Sequence, residues 1–147
     1  MLVDPGDPTR EDANGRATDR RAKAFIHENA FVGVVTTLRE DGSPHTTVVW
    51  VDGRDGVSFN TARGNAKDEH LQADPRVSLI VVDPGNAWHW VSVDGTATLT
   101  EDGADAQIDA LAKKYLDKDS YPFRNPAETR VTVKLAIENV DATGFDG

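Results

Sequence analysis

The stretch that decides the fold runs from Phe31 to Thr61 and reads FVGVVTTLREDGSPHTTVVWVDGRDGVSFNT. Its opening, FVGVVTTL, is rich in β-branched side chains and leads into the turn signal REDGSP, which predicts a strand that enters a hairpin. The segment from Pro44 to Val51 provides the return strand, and DGRDG turns the chain into a short third strand from Val57 to Thr61. We therefore expect a meander of three antiparallel strands.

The remaining patterns extend this sheet and add helices. Because hairpins and not crossover helices join the first strands, a parallel doubly wound sheet is disfavoured. The economical arrangement is mainly β: a closed or nearly closed antiparallel barrel of six or seven strands, with two or three short helices at its ends. Three helices are predicted: one over 18–29 capped by Thr18, a short one around 66–71 closed by Pro75, and one over 104–116. Three further strands are predicted: RVSLIVV from Arg76, WHWVSVDGTATL from Trp88, and ETRVTVKLAIENV from Glu128. In the second of these strands, Gly95 marks a bulge or a close approach of two backbones.

Composition and charge narrow the function classes. The chain has 147 residues, a formal net charge of −9 and no cysteine. The lack of cysteine excludes a thiolate nucleophile, a cysteine-ligated zinc and an iron–sulfur cluster, so redox chemistry would need a bound cofactor. The acidic balance disfavours nucleic acid and anionic lipid as partners. We expect a flexible arm over 1–17, one domain over 18–147, and a cytoplasmic location, since no apolar stretch has the length of a membrane span or signal peptide.

The most informative polar segment is Asn60 to Leu71, NTARGNAKDEHL, which leaves a strand and enters a helix. Backbone N–H groups at a helix start, the side chains of Thr61 and Asn65, and the cations Arg63 and Lys67 form a compact anion site of phosphate size. The same residues also fit a capped turn with solvated charges. The segment alone does not decide between the two readings.

Aromatic and histidine side chains carry weaker signals. Trp88 and Trp90 share one strand face, and with Trp50 they are the three tryptophans of the chain. Packing in the core or at a dimer interface is the default role, and stacking on a flat ligand ring is the alternative. The four histidines lack metal-ligand spacing, so no metal site is predicted, although His45 and His89 titrate in a range suited to proton donation. No hydrolase motif is present.

Several segments, taken in order, resemble one known family. They are an N-terminal helix, GVVTTLREDGSPHTTVVWV, a strand ending in FNTARGNAK, the phrase LQADPRVSLIVVD, and W-x-x-V-D-G-T-A-T-L. This order is similar to the pyridoxamine-phosphate-oxidase-like split β-barrel family, the FMN-binding split-barrel type, and within it to the deazaflavin-dependent reductases that use coenzyme F420. The resemblance spans about Ala22 to Val140. The strand HTTVVWV lacks the basic residue of the true oxidase signature, so synthesis of pyridoxal phosphate is not expected.

The resemblance implies a cofactor site. In such proteins the segment matching 61–67 holds the cofactor phosphate, which agrees with the anion site read from the residues, and the strand matching 47–50 lies along the edge of the ring. In this family the cofactor groove lies between two subunits of a homodimer. The resemblance therefore implies that the surroundings of Trp88 and Trp90, and also Arg130, approach it from the partner chain. The implied cofactor-binding positions are Thr47, Val48, Val49, Trp50, Asn60, Thr61, Ala62, Arg63, Asn65, Ala66, Lys67 and Trp88.

The function implied is transfer of a hydride from reduced F420 to a small planar or conjugated substrate, with no side chain assigned as catalytic. Arg20, Arg21 and Lys23 are candidates to meet the oligoglutamate tail of F420, although a solvated helix face is the simpler role for them. Three alternatives stay open. They are an FMN-binding oxidoreductase of the same fold, a non-catalytic barrel that carries a cofactor or haem, and an interaction module with an empty groove.

Overall fold

A computed structural model describes residues 19–145, in which three helices accompany one sheet. The arm predicted over 1–17 and the predicted cap Thr18 lie outside the described residues. The elements are α1 over 19–28, β1 Gly33–Leu38, β2 Pro44–Val49, β3 Val51–Asp52, β4 Val57–Ala62, α2 Ala66–Ala73, β5 Arg76–Asp83, β6 Asn86–Thr100, α3 Ala104–Leu116 and β7 Arg130–Thr143.

The seven strands form one antiparallel sheet in the order β2-β1-β5-β6-β7-β4-β3. The two edge strands of this sheet, β2 and β3, are consecutive in the chain and are separated only by Trp50. The sheet must therefore curl until its edges meet at that residue, which gives a half-barrel split between β2 and β3. The predicted mainly β split barrel with short helices is confirmed.

The predicted three-stranded meander is wrong in one respect. The expected return strand from Pro44 to Val51 breaks at Trp50, so β4 pairs with β3 and β7 and not with β2. The break has a physical reason. Gly33 and Val49 are the last paired residues of β1 and β2, and beyond them the N–H of Val51 donates to the hydroxyl of Tyr115 on α3 at 3.0 Å.

The core fills the concave side of the curled sheet. Alternate residues of β1, β5 and the first half of β7 point inward, and every residue of β4 except Asn60 is buried. Large, fully buried side chains include Phe59, Leu79 and Val133. Helix α1 adds Phe25 and Ile26 to the same cluster. Burial of each such side chain stabilises the fold by about 1.5–3 kcal/mol.

The long β6–β7 ribbon contains the bulge predicted at Gly95. The register shifts between Asp94 and Gly95, and a Cβ placed on Gly95 would lie 1.9 Å from the carbonyl oxygen of Ala136. Only glycine permits this approach of two backbones. Among residues 19–145 no helix is long and apolar enough to cross a membrane.

Candidate functional site

A cleft of about 360 Å³ opens where the barrel is split. It lies between the end of β2, the Trp50 corner, the end of β4, the start of α2, one face of α3 and the segment that leads into β7. Its lining combines apolar and aromatic side chains with a few polar and charged groups, which is the usual make-up of a small-molecule site. The lining residues are Val48, Val49, Trp50, Asn60, Thr61, Asn65, Lys67, Ile108, Leu111, Tyr121, Phe123, Glu128 and Arg130.

One end of the cleft is aromatic. The Trp50 ring stacks on Tyr115 with centroids 5.5 Å apart and an interplanar angle of 7°. Tyr121 meets Trp50 edge-on at 6.2 Å and 90°, and Phe123 meets Tyr121 at 5.6 Å. These offset and edge-to-face arrangements are the preferred geometries of aromatic pairs, so they hold the Trp50 ring in a defined orientation.

The end of α3 fixes the corner that carries Trp50. Tyr115 accepts the N–H of Val51 and donates its hydroxyl to the carbonyl of Phe31 at 2.8 Å, while Lys114 Nζ donates to the carbonyls of Ile26 and Val51. Burial raises the pKa of the Tyr115 hydroxyl and lowers that of Lys114. The backbone groups freed by the strand break are thus satisfied by side chains, as buried backbone groups require.

Lys67 provides a cation that is not neutralised by a neighbour. Its Nζ donates to Thr47 Oγ1 at 3.2 Å, and among residues 19–145 no carboxylate lies within ion-pair distance of it. Burial lowers the pKa of Lys67, because a desolvated ammonium loses part of its hydration. A bound anion would compensate the ammonium for its lost hydration and so favour the charged form of Lys67. Lys67 is therefore a candidate anion-binding group on the cleft wall.

Arg63 lies at the same corner but is engaged elsewhere. Its Nε donates to Glu101 and its Nη1 to Asp68, each at 2.9 Å. These hydrogen bonds raise the pKa of Arg63. Asp68 is buried and also accepts the N–H of Gly64, so it braces the loop that precedes α2. Arg63 thus stabilises the loop that precedes α2 and does not line the cleft.

Asn65 occupies the N-cap position of α2, yet its side chain makes no capping hydrogen bond and lines the cleft. The start of α2 is therefore not capped by the Asn65 side chain. Thr61, which is buried, lines the same wall. Together with Lys67 they form a polar corner.

The structure brings most of the predicted positions together and leaves others out. One cleft is lined by seven of the predicted residues: Val48, Val49, Trp50, Asn60, Thr61, Asn65 and Lys67. Thr47 contacts Lys67. Ala62 is buried, and Ala66, though exposed, is not on the lining. Trp88 is 77% exposed at the start of β6 and lies outside the cleft of this chain.

Asn60 is held by a buried hydrogen-bond network behind the cleft. Its Nδ2 donates to the carbonyl of Ala104 at 2.9 Å and to Gln107 Oε1 at 3.0 Å. The Gln107 amide donates in turn to Ser58 and Asp52. Because its amide is committed to α3, Asn60 presents its Oδ1 in one direction, where it accepts from Arg130 Nε at 2.9 Å.

Sequence reasoning missed a set of lining residues contributed by α3 and by the segment after it. Ile108 and Leu111 fit the apolar stripe of α3, which gave no reason to separate them from the core. Tyr121, Phe123 and Glu128 lie in a segment without period, where no local pattern predicts position. Arg130 was expected to act from a partner chain, whereas in this structure it lines the cleft of its own chain. These residues are Ile108, Leu111, Tyr121, Phe123, Glu128 and Arg130.

The histidines stand apart from the cleft. His45 packs edge-on against His70 at 5.1 Å, and His89 packs against Phe25 and Phe145 beside Asp83. Neither His45 nor His89 lines the cleft of its own chain. Among the residues that the structure describes, no group of three or more histidine or acidic side chains could hold a metal ion.

Comparison with known proteins agrees with this architecture. The chain is 31% identical over 121 residues to an F420H2-dependent biliverdin reductase of Mycobacterium tuberculosis (strain CDC 1551 / Oshkosh), and the match covers 81% of this chain and 83% of the relative. A solved F420 reductase has the same fold with a TM-score of 0.68 and 24% identity, over 80% of this chain and 94% of that one. A conserved hypothetical protein from Mycobacterium tuberculosis has a TM-score of 0.60 and 21% identity, over 84% of this chain and 82% of that one.

A family model described as pyridoxamine 5′-phosphate oxidase matches residues 18–144, which include every described strand. The predicted family resemblance is therefore confirmed. On this match and on the identity to the reductase, the chain belongs to the pyridoxamine 5′-phosphate oxidase family.

Proposed function

We propose that this protein is a reductase that binds coenzyme F420 in the cleft at the barrel split and reduces a small conjugated substrate there. The relative named as an F420H2-dependent biliverdin reductase supports this cofactor, and its name makes biliverdin the first substrate to test. The observation that carries the proposal is the uncompensated Lys67 cation beside the flat aromatic end of one cleft.

The residues present fit such a cofactor. F420 combines a flat tricyclic ring with a phosphate, and the cleft offers a polar corner of Thr61, Asn65 and Lys67 next to the Trp50 ring. The polar corner would hold the phosphate, and the end of β2 with Trp50 would lie along the ring. Arg63 would act through Asp68 by bracing this corner. When bound, the reduced deazaflavin supplies a hydride.

The chain's own contribution is binding, orientation and exclusion of water. Ile108, Leu111 and Phe123 provide apolar surface in the same cleft as the polar corner. Such a surface strengthens the charge interactions of Lys67 with a bound phosphate by lowering the local dielectric. Because the cofactor carries the reaction, positioning of the ring against the substrate is what the protein must supply.

A homodimer forms part of the proposal. Val48 and Phe123 line the cleft, yet they are 64% and 68% exposed, so the cleft is open on one side. Trp88 is exposed on β6 and is one of the predicted cofactor-site residues that do not line this cleft. A second copy that covers the open side with its own Trp88 region would complete the groove.

FMN is the alternative cofactor on this fold, because its flat ring and phosphate would meet the same two features of the cleft. A fluorescence titration with F420 and, separately, with FMN distinguishes the two. Tighter binding of F420 supports the proposed function, whereas exclusive binding of FMN would replace it with a flavin enzyme.

The decisive variant is Lys67→Ala. Loss of a charge-assisted hydrogen bond to phosphate costs about 1.5–3 kcal/mol, which is roughly a 10- to 150-fold rise in the Kd of F420. Lys113→Ala is the matched control, since Lys113 is an exposed lysine of α3 paired with Asp117 and is not on the cleft lining. Equal affinity of both variants for F420 would remove Lys67 and its corner from the proposed site.

A further inference from the structure

Arg130 is a second cation on the cleft wall, at the first position of β7. Its side chain is only 11% exposed, which is uncommon for an arginine. The guanidinium is held in place on two sides. Its Nε donates to the fixed Oδ1 of Asn60 at 2.9 Å, and it lies over the Tyr121 ring at 5.3 Å from the centroid.

The remaining edge of the guanidinium meets a carboxylate that is less firmly held. Nη1 donates to Glu128 Oε1 at 3.1 Å, whereas Nη2 donates to none of the residues described. Glu128 also lines the cleft, is 33% exposed, and belongs to the segment before β7, not to the sheet. Because Glu128 is the exposed partner of this pair and lies outside the sheet, another carboxylate can reach the guanidinium from the cleft and take its place.

The two cations of the cleft have different chemistry. Lys67 is a point charge suited to one oxygen of a phosphate. Arg130 presents a planar fork that binds a carboxylate through two parallel hydrogen bonds. With the fork oriented by Asn60 and Tyr121, little side-chain freedom remains to be lost when a carboxylate binds.

We propose that Arg130 receives a carboxylate of the substrate, which takes the place of Glu128, so that the enzyme selects conjugated substrates that carry an acid group. The inference rests on the proposed function, because it assigns the Lys67 corner to the cofactor phosphate and leaves Arg130 for the second ligand. Glu128 occupies Arg130 until a ligand carboxylate displaces it, so a neutral ligand does not gain this contact.

The test compares biliverdin, which carries propionate carboxylates, with its dimethyl ester, which is neutral. Equilibrium binding of each form is followed by the absorbance change of the pigment, with and without oxidised F420, so that no reduction takes place. The wild-type protein is expected to bind the acid about 10- to 100-fold more tightly than the ester, in the range of a charge-assisted hydrogen bond.

Two variants separate a ligand contact from a structural role. Arg130→Gln should lose the preference for the acid and leave ester binding nearly unchanged. Glu128→Gln keeps the shape of the side chain and removes the competing charge, so it should bind the acid several-fold more tightly than the wild type. A purely structural Arg130 would not produce this gain. Lys134→Gln, an exposed lysine of β7 paired with Asp55, is the control.

The outcomes separate the two proposals. Wild-type protein that binds both forms equally or neither, or a Glu128→Gln variant with unchanged affinity for the acid, overturns the role of Arg130. Failure of F420 to bind, together with a preference for the acid that depends on Arg130, overturns the proposed cofactor and keeps the carboxylate site.

Discussion

The hydroxyl of Tyr115 is predicted to hold the barrel split in its shape. This one oxygen accepts the N–H of Val51 at 3.0 Å and donates to the carbonyl of Phe31 at 2.8 Å. The substitution Tyr115→Phe removes the oxygen and keeps the ring that stacks on Trp50. The variant therefore tests the hydrogen bonds alone.

The expected loss follows from burial. Val51 is fully buried, so its N–H would be left without a partner in a place that water does not reach. A net hydrogen bond contributes about 1 kcal/mol and an unpaired buried donor costs about 1–3 kcal/mol, which together give a loss of about 2–4 kcal/mol in the free energy of unfolding. At about 2–4 °C per kcal/mol, Tm should fall by roughly 4–16 °C.

Urea denaturation measures this loss, and the other tyrosine of the chain provides the control. The Tyr121 hydroxyl makes no hydrogen bond with any of the described residues, so Tyr121→Phe should change the free energy of unfolding by less than about 0.5 kcal/mol. If Tyr115→Phe is no less stable than Tyr121→Phe, the Tyr115 hydroxyl does not support the corner.

Alkaline pH gives a second readout of the same group. Burial raises the pKa of Tyr115 above its ordinary value of 10.0, so the folded state keeps the hydroxyl proton that the unfolded chain loses. The stability that the protonated Tyr115 hydroxyl contributes is fully present below the pKa of the unfolded chain. It is lost as the pH rises through the higher pKa of the folded state. The wild type should therefore lose more stability than Tyr115→Phe in this range, and parallel curves would contradict the assignment.

Three further predictions concern the supports of the site. Gly95→Ala places a Cβ 1.9 Å from a carbonyl oxygen of β7 and should cost about 3 kcal/mol in urea denaturation, whereas Gly85→Ala, whose Cβ has its first neighbour at 3.4 Å, should cost far less. Burial alone would raise the pKa of Asp68, but its hydrogen bonds outweigh burial and lower the pKa. The stability that ionised Asp68 contributes is therefore present above pH 3.8 and is lost as the pH falls through the folded pKa, and acid titration of Asp68→Asn should lack this loss. Asp109 accepts the Tyr121 N–H at 2.9 Å, so Asp109→Ala should speed hydrogen exchange at that amide, and unchanged exchange would exclude this tether.

Local patterns predicted most of the strands because burial alternates as a half-buried sheet requires. In β7, Val131, Val133 and Leu135 are buried and their neighbours are not, as the sequence alternation indicated. The predicted helix over 104–116 coincides with α3 for a similar reason, since Ile108 and Leu111 follow the helical period. Strands and helices that form because of their own residue pattern could thus be predicted from the sequence.

The break at Trp50 was not readable, because the period of two continues across it. Val49 and Val51 are both buried, as they would be in one unbroken strand. What ends the strand is the arrival of Tyr115, which lies 64 residues further along and binds the Val51 N–H. A local pattern cannot show a partner at that separation.

The same separation explains which half of the candidate site was predicted. Thr61, Asn65 and Lys67 are close in sequence and reach the cleft through one strand–helix turn, so their residue types were enough to indicate an anion site. Arg130 enters the cleft because β7 pairs with β4, in the register that sets Ala62 opposite Arg130. The Lys67 corner is formed within one strand–helix turn, whereas the Arg130 fork exists only once β7 has paired with β4. A destabilised barrel should therefore lose carboxylate selectivity before it loses phosphate binding, which the Tyr115→Phe protein allows one to measure.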